Sequence, residues 1–149
     1  MRLTLAHIGS RLPAGDEFDR LTLRYIARVE AYYPCEAWFF RSEAAFLESL
    51  DRRSGRTPAV AALLDSRGRQ MTSEAFAFWL AGRRDQGAQH IVFAVGPASG
   101  WSDAARARGQ LLLSLGPLTL AHALARLVLA EQLYRACTIL AGHPYHCGH

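Results

Sequence analysis

Hydrophobic and polar positions alternate along Arg2 to Ile8 (RLTLAHI) and the alternation stops at Gly9, which predicts a first strand. From Gly15 to Tyr33 the spacing changes. Phe18, Leu21, Tyr25, Ile26 and Val29 recur at helical intervals, and Pro34 ends the helix. Cys35 to Phe40 is a short aromatic run that reads as a second strand, and Ser42 suits the N-cap of a helix through Leu50. Asp51 to Pro58 (DRRSGRTP) reads as a polar, basic loop. Ala59 to Leu64 is continuously apolar and ends in Asp65; a strand apolar on both faces belongs inside a parallel sheet with helices on either side. Ser66 to Arg69 reads as a turn around Gly68. Thr72 or Ser73 then caps a helix to about Arg83 whose stripe is Phe76, Trp79 and Leu80. Gln89 to Val95 is another buried strand, Gly96 to Gly100 a loop, and Ser102 or Asp103 begins a short helix to about Arg108. Leu111 to Leu115 is a last strand, Gly116 to Leu120 a loop, and Ala121 to Leu140 a long final helix. Strands that alternate with helices predict an α/β fold, a parallel-sheet sandwich in one domain spanning residues 1–149. Ligands in such sheets lie beyond the carboxyl ends of the strands, which directs attention to the loops after Leu64, Val95 and Leu115.

Composition narrows the class. A chain of 149 residues, 50% hydrophobic and 20% charged, can bury a full core, which excludes a disordered or disulfide-stapled chain. Its most apolar stretch, Leu111 to Leu140, is interrupted by Gly116, Pro117, His122, Arg126, Glu131 and Arg135, which argues against a membrane span. The start, MRLTLAHIGS, lacks the apolar core and cleavage site of a secretory signal. Cys35, Cys137 and Cys147 have no regular spacing, and an odd count suits a reducing cytoplasm. The net charge is +4 and every basic side chain is Arg, whose planar guanidinium grips phosphate bidentately or stacks on bases. That balance is compatible with a polyanionic partner without requiring one.

Candidate chemistry sits in a few segments. Gly96-Pro97-Ala98-Ser99-Gly100 follows a buried strand and lets backbone approach a ligand, although an ordinary strand-to-helix turn would look the same. Leu115-Gly116-Pro117-Leu118-Thr119-Leu120 is an unusually apolar loop, to be covered by the final helix, a ligand such as an adenine ring, or another subunit. The tail His143-Pro144-Tyr145-His146-Cys147-Gly148-His149 invites a metal reading, but no second ligand cluster lies upstream; a catalytic or RNA-facing tail is favoured, with Tyr145 to stack and His146 to carry a proton. The final helix is apolar over more than one face, which suggests burial against both the sheet and a partner, and so a dimer.

The run LTLAHALARLVLAEQLYRACTILAGHPYH, Leu118 to His146, resembles the C-terminal signature of the SPOUT-class ribosomal RNA large subunit methyltransferase H family. The opening strand with Gly9, RYIARVEAY, LLDSRGRQMTSEAFA and the strand with GPASG lie in order upstream, so the resemblance covers nearly the whole chain. It implies a C-terminal deep trefoil knot, an obligate homodimer, S-adenosyl-L-methionine as cofactor, and methylation of N3 of a pseudouridine in 23S ribosomal RNA, with no metal, no DNA and no membrane. The family's cofactor contacts carry over to Leu64, Gly96 and Leu115, Gly116, Pro117, Leu118, Thr119 and Leu120. The sequence departs from the family pattern at Pro97, Ser99, Gly116-Pro117, Ala121 and Cys147.

On this reading His146 accepts the N3 proton or positions the base, Tyr145 is a stacking platform, and Arg135 or Arg126 stabilises the developing imidate, unless either Arg is simply paired with Glu131. The tail is expected to close over the neighbouring subunit's site. Exposed arginines (Arg52, Arg53 and Arg56; Arg67 and Arg69; Arg106 and Arg108) are expected to meet phosphate, with the assembled ribosome supplying shape. The competing expectations are a knotted RNA- or cofactor-binding protein with reduced or no methyl transfer, and a methyltransferase acting on another RNA.

Overall fold

The computed structural model describes residues 1–52 and 57–147. Its sheet has five strands, β1 (Arg2–Ile8), β2 (Cys35–Phe40), β3 (Val60–Gln70), β4 (His90–Val95) and β5 (Leu111–Ser114), in the order β2-β1-β4-β3-β5. Every pairing is parallel. Helices α1 (Glu17–Val29), α2 (Glu43–Arg52), α3 (Ser73–Asp85), α4 (Asp103–Arg108) and α5 (His122–Leu140) follow the strands in turn, and a 3-10 turn closes the tail at Pro144–His146. This is the α/β architecture that the alternation predicts.

Period-2 alternation sorts the side chains of each strand onto two cores. Leu3, Leu5, Ala62, Ile91, Phe93, Val95, Leu111 and Leu113 meet Ile26 and Val29 of α1, Phe76 and Leu80 of α3, and Leu129 and Leu133 of α5. Ala6, Ile8, Ala61, Leu63, Val92 and Ala94 meet Phe46 and Leu50 of α2 and Ala105 of α4. The central strand β4 is buried at every position, as a strand covered on both faces must be. Helix starts fall where side-chain oxygens cap them. Asp16, Ser42, Thr72 and Ser102 accept from the main-chain N–H three residues on, at 3.0 to 3.1 Å. Among the described residues no helix is long and apolar enough to cross a membrane.

The structure corrects the sequence reading in places. β3 does not end at Asp65, and Ser66 to Arg69 is not a turn. The strand runs on to Gln70, and its register against β5 jumps between Leu64 and Arg69, so the polar residues between them form a bulge. Gly68 serves close approach rather than turning: a Cβ there would lie 2.6 Å from the main-chain carbonyl carbon of Leu112. Helix α2 continues through Arg52, beyond Leu50, and the first helix is shorter than expected at both ends. Residues 53–56, including Arg53 and Arg56, and residues 148–149 lie outside the described part.

Candidate active site

The bulge of β3 beyond Leu64 and the carboxyl ends of β4 and β5 open on one cavity of about 420 Å³, within the few-hundred Å³ range of small-molecule sites. Its wall includes Leu64, Gly96, Leu115, Gly116, Pro117, Leu118, Thr119 and Leu120, so the bulged part of β3 and the loops after β4 and β5 converge. Asp65, Trp101, His122 and Ala125 also line it, none of them placed in a site by the sequence, and so does Arg106, which the sequence assigned to phosphate. Trp101 is a lone aromatic after a glycine, and His122 stands one residue inside a helix, so neither carries a local signal.

Hydrogen bonds between loops fix this shape. The Trp101 indole N–H donates to the Leu64 carbonyl at 2.7 Å. Its ring lies so close to Gly96 that a Cβ there would be 2.6 Å from Cε2. His122 Nε2 donates to the Gly96 carbonyl, which identifies Nε2 as the protonated nitrogen, since a carbonyl only accepts. Gly116 has φ +117°, a conformation that glycine adopts without strain, and its N–H donates to Ser114 Oγ at 3.2 Å. The Arg106 guanidinium donates to Asp65 at 2.6 Å and the Arg67 N–H at 2.8 Å. Burial raises the Asp65 carboxyl, but these hydrogen bonds and charges outweigh it and hold the group below its ordinary value.

The apolar loop is not packed under the final helix. Leu118 is 81% exposed, and Pro117 and Thr119 are exposed with it. Helix α5 starts beside it with Ala121 as N-cap and no capping side chain, which leaves first-turn N–H groups at the cavity wall.

The tail residues form a second group. His146 Nδ1 accepts from the Arg135 guanidinium at 3.1 Å, which places the imidazole proton on Nε2, and Nε2 donates to Glu74 at 2.8 Å. That bond holds the Glu74 carboxyl below its usual range. Arg135 also donates to Glu131 at 2.6 Å, and the Tyr145 hydroxyl donates to the same carboxylate at 3.0 Å. Burial, then hydrogen bonds to Tyr25 and Glu131, raises the Tyr145 phenol well above its ordinary value, so it stays protonated. Its ring is not an open platform: Arg135 lies 4.9 Å from its centroid and Tyr134 packs on it at 4.7 Å.

The two groups are far apart within one chain. His122 lines the cavity and Arg135 is thirteen residues further along α5, about 20 Å at 1.5 Å per residue. Arg126 pairs not with Glu131 but with Asp19 of α1 at 2.5 Å. The arginines expected to meet phosphate are largely engaged: Arg52 with Glu48 at 3.4 Å, Arg106 with Asp65 at 2.6 Å and Arg108 with Asp51 at 3.7 Å.

The parallel sheet with this cavity is the frame of an α/β enzyme, and residues 1–146 match the family model described as predicted SPOUT methyltransferase, so the chain belongs to that class. Within that class the chain belongs to the ribosomal RNA large subunit methyltransferase H family. It is 44% identical over 149 residues to the protein of that name from Koribacter versatilis, with 100% of both chains covered. It is 43% identical over 160 residues to that of Xanthobacter autotrophicus, covering 98% of this chain and 99% of the relative. The crystal structure of the SpoU methyltransferase AviRb from Streptomyces viridochromogenes, in complex with the cofactor AdoMet, shares the fold. The TM-score is 0.56 at 16% identity, over 95% of this chain and 59% of that longer one.

Proposed function

We propose that the chain transfers a methyl group from S-adenosyl-L-methionine to N3 of a pseudouridine in 23S ribosomal RNA, acting as a cytoplasmic homodimer on the assembled ribosome. The observation that carries this is the convergence of Leu64, Gly96 and Leu115 to Leu120 on a single cavity. The cavity fits the cofactor chemically. Leu115, Pro117, Leu118 and Leu120 supply apolar surface for an adenine ring, while main-chain groups of the same loop and of Gly96 supply hydrogen bonds for its edge and ribose. When bound there, S-adenosyl-L-methionine supplies an electrophilic sulfonium methyl. By family resemblance the strand-to-helix connections around β5 and α5 are drawn into a deep trefoil knot.

The protein must then bring N3 in line with that methyl and help it lose a proton. His146 suits the second task once the RNA base edge replaces Arg135 at Nδ1, because the Nε2–H bond to Glu74 stabilises the imidazolium that forms. The displaced Arg135 is then placed to stabilise the imidate charge. One chain holds its tail about 20 Å along α5 from its own cavity, so a second copy, antiparallel at α5, supplies the tail. Exposed Leu118 and the apolar edge of α1 at Phe18 and Leu21 are surface for such a copy to cover.

Calorimetry with S-adenosyl-L-methionine tests the cofactor reading, and absence of binding up to millimolar concentration defeats it. Mass spectrometry of ribosomal RNA from a deletion strain tests the substrate: an unchanged methylpseudouridine removes it. The shared site is tested by mixing the His146→Ala chain with a Gly96→Trp chain blocked at the cavity. Each alone is inactive, and exchange into mixed dimers restores up to about a quarter of the sites; no recovery in mixed dimers would mean that each site draws on one chain alone.

A further inference from the structure

Beside the cofactor cavity lies a second, smaller one of about 190 Å³, lined by His7, Arg11, Asp19, Trp38, Phe39 and Arg126 among others. Apart from Arg126, which the sequence offered beside Arg135 for the imidate charge, none of these belongs to the machinery described above. The side chain of Arg126 is only 7% exposed, and it is paired with Asp19. Its Nε has no hydrogen-bond partner among the described residues. A buried guanidinium with an unmet donor is costly to retain for structure alone.

The chemistry of the wall is that of a nucleobase site. The exposed Arg11 guanidinium lies 4.6 Å over the Phe39 ring, and His7 meets the same ring edge-on at 5.8 Å. Phe39 backs the Arg11 guanidinium, and the exposed guanidinium plane is what an unstacked RNA base lies against. The Arg126 and Asp19 side chains place donors and an acceptor together, the combination that a base edge presents in complement. The His7 imidazole, pushed down to about 4 chiefly by burial, is neutral at physiological pH and adds a donor and an acceptor without charge. The volume, about six waters' worth at ~30 Å³ each, suits one heterocyclic ring rather than a stack.

Its position names which base. The His7 ring packs 4.7 Å from that of His122, and His122 lines the cofactor cavity. Arg126 stands one helical turn beyond His122. The paired imidazoles therefore form a partition between the two cavities. A ring seated behind it is a neighbour of the reacting nucleoside along the strand, not the reacting nucleoside itself. We infer that the cavity of His7, Arg11, Asp19, Phe39 and Arg126 seats a single unstacked base flanking the methylated nucleoside, and so fixes the register of the RNA. This rests on the ribosomal RNA reading above.

The test uses the full chain saturated with S-adenosylhomocysteine, so that the cofactor cavity is filled, and follows the His7 ring resonances by NMR. Uridine 5′-monophosphate is expected to shift them and inorganic phosphate to leave them in place. Arg11→Ala and Phe39→Leu are each expected to weaken the mononucleotide about fivefold or more, and Phe39→Tyr to retain binding. With ribosomes as substrate the same variants raise KM while kcat and the affinity for S-adenosyl-L-methionine hold. Equal shifts with phosphate would reduce the cavity to an anion site, and undiminished mononucleotide binding in both Arg11→Ala and Phe39→Leu would place the base elsewhere; either result overturns the inference. Failure of the functional reading is distinct, because it shows as loss of S-adenosyl-L-methionine binding in the unaltered chain.

Discussion

The imidazole of His122, in the first turn of α5, donates its Nε2–H to the main-chain carbonyl of Gly96, at the end of β4. The bond ties the last helix to the loop that forms the cavity wall, and both residues line that wall. His122→Ala is expected to weaken S-adenosyl-L-methionine about three- to tenfold, the worth of one lost hydrogen bond, with little change in Tm. Calorimetry reads this directly, and unaltered affinity would show that the loop holds its shape without His122.

Gly96→Ala tests how tightly that wall is built. The added methyl meets the Trp101 ring at 2.6 Å, and that ring is itself held by its N–H bond to the Leu64 carbonyl. Something must shift, at a cost of roughly 1–3 kcal/mol. Thermal unfolding is expected to show a Tm lower by several degrees, together with weaker cofactor binding. A chain with native Tm and affinity would mean that Trp101 yields freely.

His7 makes stability depend on pH. Burial, reinforced by His122 and Arg126 and opposed by Asp19, lowers its imidazole from 6.5 to about 4. Between those values the unfolded chain binds a proton that the native chain does not, so stability is complete above about pH 6.5 and declines as the pH falls towards about 4. The loss for this group is roughly 3 kcal/mol. Urea midpoints of the natural chain and of His7→Gln, taken at neutral pH and near pH 5, check it. The natural chain should lose more on acidification, and parallel losses would assign the dependence to other groups.

His146→Ala is expected to lower the single-turnover methylation rate by about a hundredfold or more, the range for a general base. Affinity for S-adenosyl-L-methionine should stay unchanged. Glu74→Gln should lower the same rate less and shift its pH profile, because it replaces the charged acceptor of the imidazole Nε2–H with a neutral one. A natural rate in His146→Ala would leave His146 with no part in the chemistry.

Much of the fold is legible in the chain because its signals are local. The alternation in RLTLAHI, the caps Thr72 and Ser102, and the apolar run Ala59 to Leu64 each act within a few residues. The polar stretch DSRGRQ misleads for the same reason. Alone it has the composition of a turn, yet pairing of Arg69 and Gln70 with β5 across a bulge carries it on as strand. The residues that line the cavity are legible through the strand-end rule and the family resemblance.

What the sequence by itself determined was therefore the order of strands and helices and the loops that end at the cavity. The tertiary structure alone decided the partners: Arg126 with Asp19, 107 residues apart, Trp101 with the Leu64 carbonyl, 37 apart, and His122 with Gly96, 26 apart. Backbone preference acts over a turn or two of chain, whereas a buried donor takes whichever acceptor the packing of distant elements brings within about 3 Å.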